Sequence, residues 1–173
     1  LERHDVTRVI DEAVGRGWIE PRCVTMGFSL GGATVLQHAP IDERVLGVIA
    51  VAPFLDFRSA VESFRSRLAP WMDAPWLQSG FDVAAVEHGF AMDQASTLDA
   101  ARALDKPVLL VEGGNDTILP PAQHTDKLAA AIDPALLERI NVPAAGHATL
   151  SRKPWPELND AIDAFCRRVT AAP

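Results

Sequence analysis

Three side chains in this sequence could together break an acyl bond: Ser29, Asp116 and His147. Ser29 is the centre of Gly27-Phe28-Ser29-Leu30-Gly31, which follows the apolar run Cys23-Val24-Thr25-Met26 and leads directly into a helical pattern. A strand that turns this sharply into a helix holds its apex residue in a strained, usually left-handed conformation, and small residues two places before and after it let the backbones pass. The turn lifts the hydroxyl clear of the sheet at a helix N-terminus, where backbone N–H groups and the helix dipole favour developing negative charge. A serine hydroxyl is a poor nucleophile until an imidazole takes its proton, and the imidazole works best when a carboxylate fixes its tautomer.

Each residue also has a purely structural reading. The Gly-x-Ser-x-Gly pattern can be a glycine-rich turn, Asp116 in Gly114-Asn115-Asp116-Thr117 can cap a turn or the next helix, and a loop histidine such as His147 can simply be solvated. Their joint placement separates the readings. Strands are read over Arg22 to Phe28, Val45 to Ala52 and Lys106 to Glu112, with the second and third continuous enough in apolar residues to be covered on both faces, and a fourth, shorter one over Leu136 to Val142. Helical patterns lie between and around them: Leu1 to Arg16, Leu30 to Ala39 ended by Pro40, Pro120-Pro121 to about Ala131, and Glu157 to Val169. This alternation predicts a three-layer α/β/α arrangement with a mostly parallel sheet. In such sheets, ligands and catalytic groups gather beyond the carboxyl ends of the strands. Ser29, Asp116 and His147 each follow the end of a different strand. His147, in a Gly-His-Ala loop, is expected to be free of helix geometry.

Residues 53–104 break the pattern. Phe54, Phe57, Phe64, Trp71, Trp76, Phe81 and Phe90 crowd a segment punctuated by Pro70 and Pro75, which reads as a cap or insertion within one domain of 1–173. Phe57 and Phe64 are assigned to packing a crossover helix on the sheet. Trp71 and Trp76, together with Phe28 beside the serine, are the candidate substrate-binding residues.

Composition narrows the partners. A hydrophobic share of 48% and a charged share of 23% are ordinary globular values, and the length suffices to bury roughly 70% of the unfolded surface. A net charge of −7 with dispersed basic residues argues against nucleic acid or an anionic membrane as partner. No run reaches the roughly 18 apolar residues of a membrane span and no signal-like segment opens the chain, so a cytoplasmic location is expected. Cys23 and Cys166 have no redox or metal spacing and are expected as free thiols. His4, His38, His88 and His124 lack paired ligand spacing, so no metal is expected, and His124 and Asp126 are expected to face solvent. Without a Gly-x-Gly-x-x-Gly or a phosphate-loop lysine, no nucleotide or other cofactor is expected either.

The elbow, the strand ending in Gly113-Gly114-Asn115-Asp116-Thr117-Ile118-Leu119-Pro120, and the Gly146-His147 loop resemble the C-terminal part of an α/β-hydrolase. Ile19-Glu20-Pro21-Arg22-Cys23-Val24 leading to Gly27-Phe28-Ser29-Leu30-Gly31-Gly32 resembles the dienelactone-hydrolase and prolyl-oligopeptidase-like branches of that superfamily. The resemblance implies Ser29 as nucleophile, Asp116 as acid, His147 as base and the Leu30 N–H as one oxyanion donor. It implies a serine hydrolase acting on a small-molecule ester or related acyl bond, with peptidase or acyltransferase chemistry as alternatives. Against the family pattern, the strands and the oxyanion loop that precede the elbow are missing, since only a helix precedes Cys23. One such donor is worth roughly 3 kcal/mol, so activity is expected to be impaired unless another chain supplies it. The elbow strand is then expected to have an open edge, covered by a second copy or a partner chain. A catalytically silent binding or assembly module is the reading from a different class.

Overall fold

Because Val45–Val51 and Val108–Gly113 carry apolar side chains on both faces, they can only be central strands with helices above and below. The computed structural model, which describes residues 2–89 and 96–171, has this arrangement. Leu1 and Phe90 lie outside the described residues, as does part of the 53–104 segment. In chain order the elements are α1 (Glu2–Gly15), β1 (Cys23–Phe28), α2 (Leu30–His38), β2 (Val45–Val51), α3 (Phe57–Leu68), α4 (Ala74–His88) and α5 (Thr97–Arg102). They continue with β3 (Val108–Gly113), α6 (Thr125–Ala131), β4 (Leu137–Val142), α7 (His147–Arg152) and α8 (Pro156–Ala171). Pro40 ends α2 in a short 3-10 turn over Ala39–Ile41, because a proline nitrogen cannot donate to the preceding helical turn.

Among the described residues the sheet has four strands in the order β1-β2-β3-β4, every neighbouring pair parallel. All strands therefore end at one rim. Alternate residues of the central strands feed two cores. Val48, Ala50, Val108 and Leu110 pack with Val35 and Leu36 of α2, Ala101 of α5 and Leu128 of α6. Ile49, Val51, Leu109 and Val111 pack on the other face with Leu150 of α7 and Leu158, Phe165 and Val169 of α8. A third, smaller cluster sits over the rim and joins Ala33 of α2, Phe54, Ala60 of α3 and Leu119, with Phe57, Phe64 and Ile118 packed against it. Among the described residues, no helix is long and apolar enough to cross a membrane, no group of three or more His, Cys, Asp or Glu could hold a metal ion, and both cysteines are free.

At the opposite end of the sheet, a polar knot ties α1 and α2 to the start of β2. Arg44 donates to both carboxylate oxygens of Asp42, at 2.9 and 2.7 Å, and reaches Asp11 of α1 at 2.7 Å. Buried His38 of α2 lies 3.2 Å from Asp42 and 3.2 Å from the Thr7 hydroxyl of α1. The hydrogen bonds from Arg44 pull the Asp42 carboxyl down to about 2. A carboxylate depressed in this way stabilises the fold above the unfolded-chain value near 3.9, and the contribution is lost as pH falls toward about 2. In urea titrations, Asp42→Asn should therefore be less stable than the parent at neutral pH, with the difference shrinking as the pH approaches that value.

Candidate active site

Ser29 closes β1 with φ 54° and ψ −113°, a backbone conformation that costs a non-glycine residue on the order of 1–3 kcal/mol. The strand holds it there: its N–H donates to the Val51 carbonyl at 2.8 Å, continuing the β1–β2 ladder into the turn. The close contact of the elbow is at Gly27, where a Cβ would sit 2.2 Å from the carbonyl carbon and oxygen of Gly31. The second tight position is Gly32, whose Cβ would meet the Val51 oxygen at 3.1 Å, and not Gly31, whose Cβ would meet nothing within 4 Å. Gly31 thus contributes the backbone that Gly27 must clear. Leu30 is the first residue of α2, so its N–H belongs to the group a helix cannot satisfy internally.

Asp116 lies in the loop after β3 and is buried. Its Oδ1 accepts from the N–H groups of Ile118 and Leu119, at 2.9 and 2.8 Å, so the carboxylate caps its own turn. Its Oδ2 remains for His147, 2.7 Å from Nδ1. The structural and the chemical reading of this residue hold together, one oxygen to each. The acid loop is also stitched to the histidine loop by Asn115 N–H donating to the Ala145 carbonyl at 3.0 Å.

His147 departs from expectation in one respect: it is the first residue of α7 rather than part of a free loop. Gly146 precedes it in an extended conformation, and its N–H donates to the Thr149 hydroxyl at 2.8 Å, which closes the first turn and fixes the direction of the ring. His147 Nε2 lies 3.0 Å from Ser29 Oγ. A carboxylate only accepts, so Nδ1 carries the proton shared with Asp116, and the unprotonated Nε2 accepts from the serine hydroxyl. Side chains separated by as many as 118 positions therefore form one continuous hydrogen-bonded line at the strand ends.

The rings around this line are not all the expected ones. Phe28 lies against His147 with ring centroids 4.9 Å apart, and Phe64 of α3 meets it edge-on at 6.1 Å and 89°. Phe64 is thus turned toward the rim and not toward the sheet. Trp71 and Trp76 are 81% and 66% exposed, on the turn after α3 and in the first turn of α4. The aromatic surroundings of the histidine come from Phe28 and Phe64 instead. Next to them, α4 rests on α3 through Phe57–Phe81 and the Arg58 guanidinium over Phe81.

Sequence reasoning also misplaced His124. It is fully buried rather than solvent-facing, because the predicted helix from Pro120-Pro121 is interrupted. A 3-10 turn covers Pro121–Gln123, His124 takes φ −124° and ψ −78°, and α6 starts afresh at Thr125. The break rotates the imidazole inward. Asp126, on the restarted helix, remains half-exposed and pairs with Arg139. The tandem proline is the signal that pointed to an irregular start. Glu112, at the end of β3, was also unassigned from sequence. It is buried and accepts from Thr125 at 2.6 Å, Arg139 at 2.6 Å and Asn141 at 2.8 Å, which anchors the strand from which the acid loop departs.

A sequence profile of the prolyl oligopeptidase family matches residues 2–172. The chain belongs to the prolyl oligopeptidase family. Its fold is that of an α/β-hydrolase, in agreement with the resemblance carried by the elbow and the two loops. Solved structures agree on the fold. An acetyl xylan esterase from Paenibacillus sp. R4 superposes with TM-score 0.69 at 20% identity, over 98% of this chain and 51% of that one. A puromycin-hydrolyzing peptidase of Mycobacterium tuberculosis gives 0.63 at 21% identity, over 84% of this chain and 22% of that one. The esterase domain of a Rhodothermus marinus protein gives 0.69 at 17% identity, over 96% and 68%. This prolyl oligopeptidase family chain thus spans about half or less of the first two proteins' lengths. No curated protein matches it significantly.

Proposed function

We propose that this chain is a serine hydrolase that cleaves a carboxylic ester or related acyl bond through Ser29, His147 and Asp116. The observation that carries the reading is the hydrogen-bonded line from Ser29 Oγ to His147 Nε2, at 3.0 Å, and from His147 Nδ1 to Asp116 Oδ2, at 2.7 Å. Ser29 Oγ attacks the substrate carbonyl carbon while its proton passes to Nε2. The carbonyl electron pair becomes an oxyanion, toward which the Leu30 N–H at the start of α2 is directed. Asp116 stays ionised and stabilises the imidazolium, held by the backbone N–H groups of Ile118 and Leu119. Collapse of the tetrahedral species expels the leaving group, which takes the proton from Nε2. Water, deprotonated by the same nitrogen, then releases the acid and regenerates Ser29.

The 53–104 segment is read as a cap over this site, supported by the apolar cluster that seats α3 on Ala33, Ile118 and Leu119. An ester is preferred as substrate, with an amide or an acyl acceptor other than water open to the same machinery. Structural similarity to an esterase and to a peptidase supports that breadth. A second reading, a binding or assembly module, draws on the outer edge of β1. There Met26 and Leu30 are exposed, and an apolar groove of about 420 Å³ runs between Val6 of α1 and Thr34 of α2, a surface suited to a second copy or a partner chain.

Labelling separates the two. An organophosphonate should modify the protein stoichiometrically at Ser29, as read by mass spectrometry of the peptide, and Ser29→Ala should abolish modification. A parent protein that stays unmodified, or an alanine variant modified equally, would remove the hydrolase reading and leave the assembly module.

A further inference from the structure

Buried His124 and partly buried His147, both near the rim, carry opposite tautomers, and only His147 belongs to the proposed proton path. At His124 the Leu55 backbone N–H donates to Nδ1 at 3.2 Å, so Nδ1 must be bare. Nε2 then carries the proton and donates to the Ser63 hydroxyl at 3.1 Å. Leu55 lies in the loop after β2, Ser63 in the middle of α3, and His124 at the head of α6. One imidazole therefore bolts α3 to two loops at the strand ends. Ser63 is followed by Phe64, the ring that meets His147 edge-on.

We propose that His124 is a positioning residue: its neutral imidazole, acting through Ser63, holds α3 so that Phe64 closes against His147, and its protonation releases α3 from the rim. The reason is donor and acceptor arithmetic. A protonated imidazole has N–H groups on both sides, and the Leu55 N–H opposite Nδ1 is itself a donor, so the bond to Leu55 becomes a repulsion. Burial is the largest influence on this imidazole and pushes its pKa below the ordinary histidine value; Asp56 before α3 and Asp116 in the acid loop oppose that shift, while Lys127 of α6 and His147 of α7 reinforce it. The unfolded chain takes up this proton at a higher pH than the folded chain does. The contribution of the bolt is therefore complete above about 6.5 and declines as the pH falls toward the lower folded value.

The role assigned to Phe64 rests on the hydrolase reading, but the bolt itself can be read without activity. Hydrogen exchange of the α3 amides, corrected for intrinsic rates and referred to those of α2, should speed up at least tenfold when the parent protein is taken from about pH 7.5 to about pH 5. Ser63→Ala should show fast α3 exchange at both pH values. His124→Gln, which keeps a donor toward Ser63 but cannot be protonated, should show exchange that no longer responds to pH. In turnover of p-nitrophenyl acetate, Ser63→Ala should raise KM about fivefold or more with kcat within about twofold, since the pocket wall moves and the proton path does not. Exchange in α3 that ignores pH in the parent, together with a Ser63→Ala protein indistinguishable from it, overturns the proposal. If His124→Gln fails to fold, Ser63→Ala and the parent's own pH response decide. A parent that shows no organophosphonate labelling at Ser29 fails the hydrolase reading alone, and the exchange measurements still decide the bolt.

Discussion

Asp116→Asn is expected to lower kcat/KM on the order of 10⁴-fold while leaving the fold in place. The size of the loss follows from the way the loop would hold the new amide. Oδ1 of residue 116 faces two backbone donors, the N–H groups of Ile118 and Leu119 at 2.9 and 2.8 Å. An asparagine must keep its carbonyl oxygen there, because turning its NH₂ toward two donors would leave three buried hydrogen-bond donors facing one another. The NH₂ is thereby forced toward His147 and donates to Nδ1. The imidazole proton moves to Nε2, the nitrogen that should accept from Ser29. The variant keeps its turn and its packing and loses its base. Circular dichroism and urea unfolding should match the parent closely, while hydrolysis and organophosphonate labelling should both collapse. A variant with near-parental turnover would show that the tautomer is not what the carboxylate controls.

Gly27→Ala is expected to destabilise the chain by more than about 4 kcal/mol, a large part of the roughly 5–15 kcal/mol that holds a domain together. Its Cβ would lie 2.2 Å from the Gly31 carbonyl, and the obstacle is helix backbone, which cannot rotate aside as a side chain can. Relief requires moving the start of α2 away from β1, and with it Ala33, fully buried in the cluster over the rim, and Leu36, fully buried in the core against the sheet. The matched control is Gly31→Ala. Its Cβ has open space and a helical position, where alanine is favoured over glycine by roughly 0.5–1 kcal/mol, so it should be neutral or slightly stabilising. Urea titrations of both variants test the claim, and a Gly27→Ala protein as stable as Gly31→Ala would show that the elbow can relax.

Much of the architecture was legible in advance. The runs Val45–Val51 and Val108–Gly113 carry no polar face, so they could only be strands covered twice, and the structure places them at the centre of the sheet. Strand ends were legible from local signals too, since Gly114-Asn115-Asp116 follows β3 and Pro143-Ala144-Ala145-Gly146 follows β4, residues that favour turns. The failures cluster where one segment meets another. His124 looked solvent-facing because a helix was extended through it, whereas the 3-10 turn before it turns the ring into a pocket built by Leu55 and Ser63. Trp71 and Trp76 looked like pocket walls because proline isolates them; both rings are exposed, and the rings against His147 are Phe28 and Phe64.

From the residues alone came the alternation of strand and helix, and with it the common rim at which Ser29, Asp116 and His147 had to lie. Parallel strands joined by helices all end on one side, so knowing which strand precedes each residue is enough. Tertiary structure alone decided which imidazole nitrogen is bare, His147 at Nε2 and His124 at Nδ1, and which rings close on the histidine. Periodicity is a property of neighbours along the chain. A tautomer is set by whichever donor or acceptor arrives across the rim, and those partners lie as many as 118 and 69 residues away.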